Sequence, residues 1–289
     1  MHSSFVLIAA LLTLPLFAQE RAAAPRPDGA ETPMLVYAPS AVRPGQCAPL
    51  ALISHGAGGS EDGYSYLAEA LSGRGFTAIV MGHRESGLGA LGAEIHGEGF
   101  SHGVRALVAD PNAEQARLLD VSAALKWADA RCRAPFRVLL GHSMGAETVM
   151  LEAGARNMID VASPPAGQDR FDAYVALSPE GPGLVFPAHA WRSIRKPMLV
   201  LTGTRDQSLT GAPQTRQIPW HDLPADAPRR CHWLAVIDRA IHMNFAGNGI
   251  GADRVESLVT QTIAGFLTGV RAGNCVAPDA IPGLDLRMK

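Results

Sequence analysis

Three side chains in this sequence have the types and the order needed to cleave an acyl group from its leaving group. Gly141-His142-Ser143-Met144-Gly145 fits a Gly-x-Ser-x-Gly pattern between an apolar run, Phe136-Arg137-Val138-Leu139-Leu140, and a helical stretch reaching about Ala155. A sharp strand-to-helix turn at such a place projects the serine Oγ outward, and small flanking residues permit the close backbone approach it requires. The helix start beyond it aims amides and a positive dipole end at a developing oxyanion. A serine hydroxyl needs a base, and the base needs an orienting acid. Asp206 closes the strand-and-turn Leu199-Val200-Leu201-Thr202-Gly203-Thr204-Arg205-Asp206, and His242 closes Asp238-Arg239-Ala240-Ile241-His242 one strand later. Each residue taken alone has a plainer reading: a serine in an ordinary turn, a turn-capping aspartate, a loop histidine. Taken together, the chain order Ser143, Asp206, His242 is that of a nucleophile, acid and base triad. Asp238 is the reserve acid, too near His242 in sequence to reach its far ring edge easily.

An oxyanion hole needs two backbone N–H groups. Met144, immediately after the nucleophile, supplies one. The Gly-rich turn His55-Gly56-Ala57-Gly58-Gly59 follows a buried-strand pattern at Pro49 to Ser54 and supplies the other, from Ala57 or alternatively Gly58. His55 reads as a brace for that loop and His142 as packing. His83, His96 and His102 fall within a long stretch, Gly82 to Asn112, that shows no clear periodicity. Loop histidines without a cysteine or carboxylate pattern beside them are more often solvated than metal ligands, so no metal is expected.

These residues need a scaffold. Short apolar runs at Pro49–Ser54, Phe76–Met81, Phe136–Leu140, Tyr174–Ser178, Met198–Thr202 and Trp233–Ile237 alternate with helical patterns at Tyr64–Arg74, Ala113–Ala130 and Asp253–Val270. Such alternation predicts an α/β fold with a mostly parallel central sheet and helices on both faces. The chain has 289 residues, 47% hydrophobic and 18% charged, with 30 Gly and 21 Pro, which excludes a disordered or fibrous chain. A formal net charge of −2 gives no electrostatic footprint for nucleic acid. Pro179 to Lys196 is too short for a cap domain of its own, so an open site is expected, partly covered by Gly82 to Asn112. Trp191 and Phe186 are equally candidates for pocket walls and for the core.

The N-terminus reads as a targeting segment. Phe5 to Phe17 is apolar, too short for the roughly 20 residues of a bilayer span, and Ala18 offers a small residue at a cleavage site. The alternative is an uncleaved anchor. The expected organisation is a signal peptide over 1–18, a flexible Pro/Ala-rich leader over 19–30 and one catalytic domain over 31–289. Four cysteines, Cys47, Cys132, Cys231 and Cys275, fit the oxidising compartment of a secreted or periplasmic protein and lack zinc-site spacing.

Beyond these separate signals, several strings carry a resemblance to a known family. They are Ser54-His55-Gly56-Ala57-Gly58-Gly59-Ser60 with Tyr64-Ser65-Tyr66-Leu67-Ala68, the Gly-His-Ser-Met-Gly elbow, Ala176-Leu177-Ser178-Pro179, Thr202-Gly203-Thr204-Arg205-Asp206 and His242-Met243-Asn244-Phe245. Over about residues 33 to 270 the chain resembles the bacterial α/β-hydrolases, and more narrowly the predicted dienelactone hydrolase and platelet-activating-factor-acetylhydrolase-like group. The resemblance implies a serine carboxylic-ester hydrolase without a cofactor, acting on a small-molecule or lipid-like ester. Two departures stand out: dienelactone hydrolases proper use a cysteine where this elbow has Ser143, and many relatives have glycine at the position of Ala146. An amide or peptide hydrolase with the same triad, or a non-catalytic secreted binding protein on this scaffold, are the other readings.

In the fold so implied, the strands entering the oxyanion loop and the elbow are parallel neighbours. Cys47 and Cys132 precede them by similar distances, within disulfide reach of each other, while Cys231 precedes the last strand and Cys275 follows the helix returning across it. The implied pairs are Cys47–Cys132 and Cys231–Cys275. Non-reducing peptide mapping should recover these two linkages; any other would refute the strand order.

Overall fold

The computed structural model describes residues 19–39, 42–43, 45–162, 170–225, 231–276 and 278–289. The expected signal segment, 1–18, lies outside them. The strands are β1 (Gln19–Pro25), β2 (Glu31–Tyr37), β3 (Leu50–Ser54), β4 (Thr77–Met81), β5 (Arg137–His142), β6 (Ala173–Leu177), β7 (Met198–Gly203), β8 (His232–Ile237) and β9 (Leu284–Met288). The helices are α1 (Ser65–Ser72), α2 (Leu88–Glu98), α3 (Phe100–Val108), α4 (Pro111–Arg131), α5 (Met144–Glu152), α6 (Ile218–Asp222) and α7 (Ala252–Ala272). The strands form one sheet in the order β1-β2-β4-β3-β5-β6-β7-β8-β9. β4, β3, β5, β6, β7 and β8 run parallel, whereas β1, β2 and β9 join antiparallel at the two sides.

The parallel strands are apolar without interruption because both of their faces are covered. Along β5, Leu139 packs on the face of α4 and α5, while Val138 and Leu140 turn to the face of α1 and α7. The same alternation sends Leu52 and Val200 one way, Ile53 and Leu201 the other. Helix α4 starts with Asp110, whose side chain accepts from the Asn112 amide, and with Pro111, whose fixed φ suits a first turn. α7 stops at Gly273 with φ 67°, a conformation glycine adopts without a Cβ clash. Disulfides Cys47–Cys132 and Cys231–Cys275, each with Cα atoms 5.5 Å apart, clamp the ends of the strands remote from the elbow.

Two sequence expectations need correction. Residues 19–30 are not a free leader: β1 pairs with β2 from Gln19↔Tyr37 to Pro25↔Glu31, and Ala24 is fully buried. Asp28-Gly29 makes the hairpin turn, a signal that the Pro/Ala composition obscured, and Arg26 N–H donates to the Ala30 carbonyl at 2.9 Å. The stretch from Gly82 to Asn112 is largely helical. Its glycines blur the periodicity, but Gly103 lets α3 lie against α2, where a Cβ would come 2.7 Å from the Ile95 amide nitrogen. β2 and β9, outside the apolar-run pattern, complete the sheet.

The N-terminal hairpin is also tied down by charge. Arg26 is buried and donates to Asp120 at 3.2 Å and to Glu85 at 2.8 Å, and it also pairs with Asp28. Arg26→Ala leaves the buried Asp120 without its cation, so it should lower unfolding free energy by about 3 kcal/mol in urea titrations. A loss below about 0.5 kcal/mol, the level of a surface pair, would show that the hairpin is dispensable.

Candidate active site

The elbow is built by contact distances that only glycine satisfies. A Cβ on Gly141 would stand 2.0 Å from the Gly145 carbonyl oxygen, and one on Gly145 would stand 2.1 Å from the Ser54 carbonyl oxygen. With both Cβ atoms absent, α5 starts immediately at the end of β5 and lies directly over β3. Ser143 occupies the turn with φ 54° and ψ −124°, a strained conformation for a residue with a side chain. Its amide is held by the Leu177 carbonyl at 3.0 Å.

The three residues expected from the sequence meet here. His242, in the 3₁₀ turn after β8, places Nε2 3.0 Å from Ser143 Oγ and Nδ1 3.1 Å from Asp206 Oδ1. A carboxylate only accepts, so Nδ1 carries the proton and Nε2 is free to take one from the serine. Asp206 is buried after β7, where Thr202 donates to Oδ2 at 2.8 Å and Arg216 Nε stands 2.9 Å from Oδ1. Burial alone would raise this carboxyl, but the His242 hydrogen bond and the Arg216 charge outweigh it and hold it below its ordinary range. Asp238, the reserve acid, points elsewhere: it accepts from Thr204 Oγ1 at 3.4 Å and pairs with Arg239 at 3.4 Å.

The loop amides separate Ala57 from its alternative. Gly58 N–H is bound to the Ser86 carbonyl at 2.8 Å, Gly59 N–H to Gly56 at 3.1 Å, and Gly56 N–H to the Tyr64 hydroxyl at 3.2 Å. Among the described residues Ala57 N–H has no backbone partner of this kind, and Ala57 lines the cleft together with Ser143. Met144 is the first residue of α5, where amides lack an intrahelical acceptor.

Histidines brace this arrangement. His55 Nδ1–H donates to the Gly56 carbonyl at 2.6 Å, and its Nε2 accepts from His83 N–H at 3.0 Å. His83 in turn donates from Nδ1 to Asp120 at 2.8 Å and accepts at Nε2 from Ser54 at 2.8 Å. Burial, first, and nearby positive charge hold both rings well below the usual histidine range, so they serve as neutral struts. His142 is also buried, accepts from Tyr64 O–H at 2.7 Å, and packs 4.7 Å from the His242 ring. His96 and His102 lie exposed on α2 and α3. Phe186 and Trp191 are fully buried against each other, 5.2 Å between ring centres, and belong to the core.

Above the serine lies an open cleft of about 1000 Å³. It is lined by Leu88, Leu91 and Phe100 from α2 and α3 and by Leu209 and Met243. Two residues behind the site were not singled out in the sequence: Arg216, which binds Asp206, Glu180 and the Ser178 carbonyl, and Ser178 itself, with Oγ 2.7 Å from His242 Nδ1. Arg216 gave no motif; Ser178 lay within the Ala-Leu-Ser-Pro string.

The strand order and the serine elbow together define an α/β-hydrolase fold. A thermophilic esterase from the Planctomycetes species Thermogutta terrifontis, solved with propionate bound, matches with a TM-score of 0.63 and 19% identity, over 91% of this chain and 97% of that one. Thermogutta terrifontis esterase 2 phosphonylated by cyclosarin matches with a TM-score of 0.60 and 19% identity, over 92% and 98%. The Pyrococcus furiosus esterase Pf2001 gives 0.56 and 16%, over 87% and 92%. No protein-family model and none of the curated proteins matches the sequence.

Gly145→Ala should destabilise the protein by about 3 kcal/mol and remove labelling of Ser143 by a fluorophosphonate, because its Cβ meets backbone. Gly89→Ala on α2, where a Cβ meets nothing within 4 Å, is the control and should melt at or slightly above the parent temperature. Equal behaviour of the two variants would refute the contact argument.

Proposed function

We propose that the protein is a serine hydrolase of carboxylic esters that works through an acyl-serine intermediate. The observation that carries this reading is the Ser143 Oγ to His242 Nε2 distance of 3.0 Å at the floor of an open cleft. As His242 accepts the hydroxyl proton, Ser143 attacks the ester carbonyl. The negative charge that develops on the carbonyl oxygen is met by the Ala57 and Met144 amides, each worth about 3 kcal/mol in the transition state. Asp206 holds the imidazole in the reactive tautomer and stabilises its cation. The imidazolium then protonates the leaving alcohol, and water, activated by the same base, releases the acid.

The esterases that share the fold support ester cleavage as the reaction class, and the motif strings support the narrower dienelactone hydrolase and platelet-activating-factor-acetylhydrolase-like grouping. The two disulfides support a secreted or periplasmic location. No helix among the described residues is long and apolar enough to cross a membrane.

A series of p-nitrophenyl esters from acetate to palmitate tests the reading. Turnover by the parent should be lost in Ser143→Ala with the melting temperature unchanged, and Asp206→Ala should lower kcat about ten-thousandfold. Undiminished turnover in Ser143→Ala would refute the assignment; no turnover of any ester would turn the search to amides.

A further inference from the structure

Asp206 is not the nearest group to the orienting nitrogen of His242. Ser178 Oγ lies 2.7 Å from Nδ1, against 3.1 Å for Asp206 Oδ1. Ser178 is fully buried at the end of β6 and has φ 54°, a backbone conformation that glycine adopts freely and serine only at a cost. Both of its backbone groups are fixed: its N–H donates to the Leu201 carbonyl at 2.7 Å, and its carbonyl accepts from Arg216 Nη1 at 2.7 Å. The hydroxyl is therefore delivered to the edge of the imidazole, where it also bonds the Asp206 carboxylate.

We infer that Ser178 is a second positioning residue for the base, sharing the Nδ1–H of His242 with Asp206 and fixing the ring plane between them. This rests on the proposed triad. An acceptor on each side of Nδ1–H restrains the ring against rotation, which a single carboxylate oxygen does not, and both acceptors hang on one guanidinium, that of Arg216. The hydroxyl oxygen also favours the imidazolium over the neutral ring, since the cation is the stronger donor.

Other polar and titratable groups face His242 from the elements packed around it. They are Ser143 and His142 at the end of β5, Asp206 after β7, Glu180 and Arg216 lining the cleft, and Tyr66 of α1 and Glu256 of α7 behind the turn.

Two variants remove the hydroxyl in different ways. Ser178→Ala keeps the strained φ, whereas Ser178→Gly relieves it. Steady-state kinetics on the best p-nitrophenyl ester, normalised to sites counted by fluorophosphonate titration, should show kcat lowered about three- to tenfold in both, with KM within about twofold of the parent. The acid limb of kcat/KM should move to lower pH by about 0.3 to 0.5 in both. An acid limb that stays put or rises, even with lower kcat, would mean that Ser178 is only structural and would overturn the inference. So would an effect confined to one variant, which would belong to the backbone. Ser143→Ala is run alongside: if it turns over ester, the triad itself falls, whereas an inactive Ser143→Ala with parent-like Ser178 variants sinks only the role of Ser178.

Discussion

The packing of α5 against β3 is the constraint on which the rest of the site depends. A gap that admits no Cβ at Gly141 or Gly145 sets the angle at which β5 gives way to the helix. That angle fixes the direction of the Ser143 side chain and the position of the Met144 amide at the first turn of α5. It also places the end of β3, and so the Ala57 loop, alongside the serine. The proposed nucleophile and oxyanion donors thus share one steric origin, and no flexible side chain is needed to bring them together.

The second determinant is electrostatic. A carboxylate buried behind a histidine would ordinarily be driven neutral, and a neutral acid could not stabilise an imidazolium. The His242 hydrogen bond and the Arg216 charge beside Asp206 prevent this, and the remaining N–H groups of Arg216 bind the carbonyls of Ser178, Pro179 and Gln207. One cation therefore helps to hold Asp206 ionised and ties the two loops flanking His242. On the opposite side, Arg26, Asp120, His83 and His55 form a chain of polar contacts from the N-terminal hairpin to the oxyanion loop.

Those parts of the molecule written in local pattern were legible from the sequence. The buried parallel strands show as unbroken apolar runs, the elbow as two glycines around a serine, and the acid and base as residues just past strand ends. Where meaning depends on distant partners, the sequence was silent or misleading. Arg26 sits in a Pro/Ala-rich segment that reads as a tether until Asp120, in α4, is known to face it. α2 and α3 carry glycines that weaken any helical pattern, and their reason, close packing of one helix on the other, is visible only in three dimensions. Arg216 lies in no motif at all; its place beside Asp206 is made by the chain folding back. Nor could the sequence show that the Ser86 carbonyl occupies the Gly58 amide, the contact that favours Ala57 as the proposed donor.

The backbone twist at Ser143 has an evolutionary and practical consequence. A positive φ on a residue with a Cβ holds about 1 to 3 kcal/mol that the native state must carry. Glycine would release it, so one route to a more heat-resistant version of this fold passes through the proposed nucleophile itself. A library screened for thermal survival alone would be drawn toward inert molecules, and directed evolution of this scaffold needs a turnover filter in every round.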